Sequence, residues 1–122
     1  MPLSELIAPR ERLVHVLRAG EGTSLRAQES DWAATLLAST AEHARCDLYR
    51  IVAQPGRERR SEPHLPGTVE HVVVTAGRAA LGLPDDPVEL GTGDYIRYQG
   101  DVTHVFRALT PDTSALFVLE QA

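Results

Sequence analysis

Residues 69–109 read VEHVVVTAGRAALGLPDDPVELGTGDYIRYQGDVTHVFRAL, and the punctuation of this stretch decides the fold class. Apolar and β-branched residues come in short runs, each closed by Gly, Pro or Asp. No run sustains a 3.6-residue period long enough for a helix. LPDDP, between AALGL and VELG, is a Pro-Asp turn in which Pro84 presets φ, and LGTGDY supplies Gly91 and Gly93, which can take left-handed angles. Both segments read as hairpin connections.

The same texture extends outward. RLVHVLR (12–18), ATLLAS (34–39), CDLYRIVAQ (46–54) and ALFVLEQ (115–121) have strand character, while QESDW, STAEHARCD and GRERRSEP read as connecting loops. PLSELI (2–7) has room for one helical turn with Ser4 as its cap, too short to be stable alone. Short strands at even spacing predict an all-β sandwich or barrel.

A chain of 122 residues and 13.3 kDa supports one domain spanning 1–122. With 43% hydrophobic and 24% charged residues it has the composition of an ordinary globular protein. No apolar run approaches the ~20 residues of a membrane span, and MPLSELIAPRERL lacks a secretory apolar core, so a cytoplasmic location without membrane contact is the expectation. A net charge of -5 argues against phosphate-backbone binding by this chain itself. Cys46 is the single cysteine and reads as a small buried strand residue.

Alternation in the strand 69–77 puts Glu70, Val72 and Val74 on one face and His71, Val73 and Thr75 on the other. In THVFRAL, His104 and Phe106 share a face. If these strands are barrel neighbours with Glu70 and His104 inward, a carboxylate and an imidazole meet in the lumen. His64, ahead of the Pro66-Gly67 turn, can join them. Two histidines and a carboxylate suit a divalent transition metal, Zn, Fe, Mn or Ni, with Glu62 as a further candidate ligand. The other reading is a charge-assisted Glu70–His104 pair lining a pocket for an organic ligand, without metal. Trp32, Tyr49, Tyr98 and Phe106 are candidate pocket residues, since small-molecule sites are mostly apolar. His15 and His71 read as ordinary strand residues, His43 as a solvated loop residue, and Arg57, Arg59 and Arg60 as a solvated charge cluster, with an anion-binding lip as the alternative.

These residues resemble the cupin superfamily, whose motifs have the form G-x(5)-H-x-H-x(3,4)-E-x(6)-G and G-x(5)-P-x-G-x(2)-H-x(3)-N. Glu70 and Gly77 keep the spacing of the first motif, and Gly93 and His104 that of the second. The first motif's histidine pair is reduced: His64 stands one residue too far from Glu70, and Glu62 takes the place of its partner. In the second motif Gln99, Asp101 and Ala108 replace Pro, Gly and Asn. The resemblance covers about residues 46–119 and implies a jelly-roll double-stranded β-barrel and a homodimer.

SEPHLPGTVEHVVVTAGRAALG followed by ELGTGDYIRYQGDVTHVFRAL also resembles the C-terminal cupin domain of XRE-type helix-turn-helix transcriptional regulators. PLSELI then resembles the segment after the DNA-binding domain, with residues 1–11 as the linker remnant. The resemblance implies a sensor of a small-molecule ligand that reaches DNA only through a domain absent from this sequence. Two alternatives stand beside it: a stand-alone metal-dependent cupin enzyme of oxygenase or isomerase type, and a silent cupin that only dimerises.

Overall fold

A computed structural model describes residues 15–22, 24–26, 32–40 and 45–121. PLSELI and His43 lie outside the described residues. Ten strands follow in order: β1 (Ser24–Arg26), β2 (Trp32–Thr40), β3 (Arg45–Ala53), β4 (Arg59–Ser61), β5 (Val69–Ala76), β6 (Arg78–Leu83), β7 (Asp86–Gly91), β8 (Tyr95–Gln99), β9 (His104–Ala108) and β10 (Thr113–Gln121). The expected all-β class is what the chain adopts. A six-stranded sheet in the order β1-β2-β3-β10-β5-β8 faces a four-stranded sheet in the order β4-β9-β6-β7, and all the strand pairings are antiparallel.

Alternation along the strands builds the core between the sheets. Glu70, Val72 and Val74 of β5 are buried while Val73 and Thr75 are exposed, as the two-residue period requires. Ala79 and Leu81 of β6, Phe106 and Ala108 of β9, and Ala115 and Phe117 of β10 complete the apolar layer. Phe106 and Phe117 meet edge to face across the sheets, with centroids 5.7 Å apart, a favoured aromatic geometry.

Gly77 closes the turn from β5 to β6 at φ 80. A Cβ there would stand 2.4 Å from Thr110 Oγ1 and 2.8 Å from Thr113 Oγ1, so both backbone angle and space demand glycine. The spacing of Glu70 and Gly77 thereby sets how far the buried carboxylate lies from the β5–β6 corner.

The two expected hairpins fare differently, and other local expectations need correction. LPDDP is a hairpin turn, joining β6 and β7 with Leu83 opposite Asp86. LGTGDY is not: β7 and β8 belong to different sheets, and Gly93, at φ 91, carries the chain across. Its N–H bonds to Val74 O at 2.7 Å, and Val74 N–H returns a bond to Asp94 O at 3.0 Å. Residues 15–18 lie in no strand, with His15 Nε2 3.1 Å from Leu37 O. STAEHARCD is strand at both ends. GRERRSEP contains β4, a three-residue edge strand with Arg59 opposite Phe106 and Ser61 opposite His104. Its charged composition hid the alternation.

Candidate functional site

The carboxylate and the imidazole do meet in the lumen, though not on neighbouring strands. β5 and β9 sit in opposite sheets, so Glu70 and His104 approach each other face to face across the barrel. Glu70 Oε2 lies 2.7 Å from His104 Nε2 and 3.1 Å from His64 Nε2, and the Glu70 and His104 side chains are only 4% and 6% exposed. One ligand atom from each of His64, Glu70 and His104 falls within 4.8 Å of the other two.

His64 reaches this point from the loop before β5 despite its displaced position in the sequence. Its N–H bonds to Gly100 O at 2.8 Å, and Gly100 N–H bonds to Thr68 O at 2.8 Å. Gly67, at φ 84, donates its N–H to Asp101 Oδ2 at 2.9 Å. Residues 64–68 are thus stitched to the β8–β9 turn, which also orients His104. Asp101, which stands where the second motif has glycine, makes one of these stitches.

His104 Nδ1 lies 2.9 Å from Val102 O. A carbonyl only accepts, so Nδ1 carries a proton and Nε2 is the atom turned toward Glu70. The contact from His104 to Glu70 is short but bent, and Glu70 Oε2 has no hydrogen-bond partner of good geometry among the described residues. Two imidazole nitrogens and a carboxylate oxygen therefore converge on one region, an arrangement that a shared cation would complete.

The electrostatics agree. Burial pushes Glu70 up, but the contact with His104, the Tyr98 hydroxyl and the His64 ring together bring its carboxyl below the usual range. Burial pushes His104 down, while Glu70 and the Val102 carbonyl outweigh that and raise it. Tyr98 donates its hydroxyl to Glu70 Oε1 at 2.9 Å and is held protonated, through burial first and the adjacent carboxylate second. The donor set of two imidazoles and one carboxylate fits a divalent transition metal.

A cavity of about 210 Å³ opens on these groups, lined by the candidate pocket residues Trp32, Tyr49, Tyr98 and Phe106 and by Ile51, Phe117 and Leu119. Its volume is that of about seven waters, room for a small metabolite. Glu62 is exposed and stands apart from the His64, Glu70 and His104 group. His71 faces away, on the outer side of β5, where Nδ1 is 2.7 Å from Tyr95 Oη and Nε2 contacts Glu120. Cys46 is partly buried on β3 with a free thiol.

Ser61 and Arg59 also line the cavity; Ser61 is not singled out by the sequence, and Arg59 is there only a member of a loop charge cluster. The Arg59 guanidinium lies 3.7 Å over the Trp32 ring. The signal for them is the alternation Arg59, Arg60, Ser61, which turns the first and third inward once β4 is seen as a strand.

No protein-family profile matches the chain. Over 59 residues it is 36% identical to the HTH-type transcriptional regulator SutR of Escherichia coli, an alignment spanning 48% of this chain and 33% of that protein. The chain thus matches about a third of the regulator's length. Among solved structures, the Cupin_2 domain of an XRE family transcriptional regulator from Enterobacter cloacae is similar at a TM-score of 0.66 and 25% identity, covering 75% of this chain and 96% of that one. A predicted oxalate decarboxylase from Thermotoga maritima reaches a TM-score of 0.70 at 20% identity, covering 88% and 99%; at that identity the likeness is one of fold. The structural neighbours are cupin-domain proteins, and the fold of this chain is the cupin β-barrel.

Proposed function

We propose that this chain is the ligand-sensing cupin domain of a bacterial transcriptional regulator, binding a small molecule in the barrel through a divalent metal held by His64, Glu70 and His104. The observation that carries the proposal is the convergence of those three side chains at one end of an otherwise mostly apolar cavity. The similarity to a helix-turn-helix regulator and to the cupin domain of an XRE family regulator supports the regulatory setting.

When bound, the metal supplies a Lewis-acidic anchor for an oxygen or nitrogen of the ligand. The chain's own residues do the rest. Tyr98 fixes the Glu70 carboxylate, Val102 fixes the His104 ring, and the aromatic wall excludes water from the ligand body. DNA contact belongs to a separate helix-turn-helix domain, since this chain is acidic. The signal passes through the geometry of a homodimer, and it requires a ligand that binds one arrangement of that dimer more tightly than the other.

The test is a calorimetric metal titration of chelator-treated protein, followed by a metabolite screen for thermal stabilisation. Sensing predicts one metal per chain and stabilisation by a metabolite that is recovered unchanged. Absence of metal uptake together with absence of stabilisation by any metabolite would remove the reading. Turnover of the bound metabolite would replace it with the enzyme alternative.

A further inference from the structure

The cavity carries a cation that the His64, Glu70 and His104 group does not use. Its ionisable wall consists of one carboxylate, Glu70, the two histidines, and the guanidinium of Arg59, with two phenols besides. Glu70 faces the two histidines, at 2.7 and 3.1 Å, and accepts from Tyr98. Among the described residues no carboxylate pairs with Arg59, whose recorded partner is the face of Trp32. Desolvation weakens its hold on the proton, and its field reaches His104. Arg59 is exposed as a residue, so its guanidinium is only partly desolvated, and stacking on the indole leaves its N–H donors open to a further acceptor.

A second, independent observation lies on the same wall. Trp32 Nε1 is buried with no hydrogen-bond partner among the described residues, and a buried N–H without an acceptor is uncommon. Trp32 and Arg59 also form the partition to a neighbouring cavity of about 190 Å³ that includes Gln54 and Ala108 in its lining. Donors without acceptors thus lie together where β2 and β4 line the pocket. Arg59 is the permanently charged side chain on this wall, and a guanidinium on a mostly apolar wall draws an anion to it.

Resting on the sensing reading above, we infer that the ligand is a small carboxylate, its carboxylate held by Arg59 at the Trp32 partition, its short apolar body along Phe106, Phe117 and Leu119, and its far polar atom turned toward His64, Glu70 and His104. A planar guanidinium matches a carboxylate with two parallel hydrogen bonds, which an ammonium does not. Arg59 is in this account a specificity-determining residue for the sign of the ligand's charge.

The experiment uses the full chain loaded with its metal. Acetate, butyrate, hexanoate and benzoate, each beside its primary amide, are titrated by calorimetry and by the fluorescence of Trp32, the single tryptophan. At least one acid binds about tenfold or more tightly than its amide, the order expected of a charge-assisted hydrogen bond, and its binding changes the Trp32 emission. Arg59→Gln removes the preference while the metal stoichiometry stays at one, and Arg59→Lys restores part of it. Arg59 is exposed as a residue, so both variants are expected to fold, which circular dichroism checks. Acids and amides of equal affinity, no binding of any acid in the series, or an unchanged preference in Arg59→Gln would each overturn the inference. Metal retained without carboxylate preference overturns this inference alone; loss of metal binding as well overturns the sensing reading.

Discussion

Replacing Glu70 by Gln keeps the shape of the side chain and removes its charge, at a position 4% exposed and 2.7 Å from His104 Nε2. The variant loses the charge-assisted contacts to His104 and to the Tyr98 hydroxyl. A hydrogen bond to a charged group contributes about 1.5–3 kcal/mol, and breaking a buried pair by removing one partner costs about 3–5 kcal/mol. Because the amide still accepts from Tyr98, the loss is expected near the lower end, about 2–3 kcal/mol in metal-free protein. With a urea slope of ~1–3 kcal/mol per molar for a small protein, the midpoint falls by about 0.7–3 M.

The pH dependence sharpens this test. Glu70 is lowered from its ordinary 4.5, so its contribution is present above that value and is lost as pH falls through the lower folded one. His104 is raised from 6.5, so its contribution is full below 6.5 and is lost as pH rises through the higher folded one. Metal-free wild type should therefore gain most from the pair between about pH 4.5 and 6.5, and Glu70→Gln should lack that maximum. Urea melts of chelator-treated protein across this range measure both. A variant as stable as wild type at pH 5.5, or with the same pH profile, would refute the pairing.

Three further outcomes follow from the geometry. Gly77→Ala should cost about 2–5 kcal/mol, from the left-handed angle and the clash with the Thr110 and Thr113 hydroxyls, read as a lowered urea midpoint; an unaffected midpoint would contradict the turn. Asp101→Ala should remove the acceptor of Gly67 N–H and loosen the His64 loop, weakening metal affinity about 10–100-fold, as loss of a supporting group does, with less than about 1.5 kcal/mol lost in stability; calorimetry checks it, and unchanged affinity would separate Asp101 from the site. Metal uptake should weaken as pH falls below the raised value of His104, because the ring must shed its Nε2 proton to ligate; affinity independent of pH between 5.5 and 8 would remove His104 from the ligand set.

Much of the fold was legible because strand alternation is local. The runs around Glu70 and His104 revealed which side chains share a face, and Gly77 and Gly93 marked corners that only positive φ angles allow. Sheet membership is not local. Nothing within VELGTGDYIRYQ distinguishes a hairpin from the crossing that Gly93 makes, and nothing within β5 or β9 tells whether they pair side by side or oppose each other. His64 stands one residue out of the motif's spacing, and the backbone bonds to Gly100 and the Asp101 anchor bring it to Glu70 all the same. Arg59 was read as solvated because a three-residue edge strand is too short to display its period, and the surrounding arginines and glutamates resemble a loop.

The central claim is that His64, Glu70 and His104 hold a metal. Anomalous scattering from crystals of protein grown without chelators tests it directly. The account predicts one peak about 2.0–2.2 Å from His64 Nε2, Glu70 Oε2 and His104 Nε2, lost in Glu70→Gln. Featureless anomalous density there, with the His104 ring bonded straight to the Glu70 carboxylate after the protein has been supplied with Zn, Fe, Mn and Ni in turn, would contradict it.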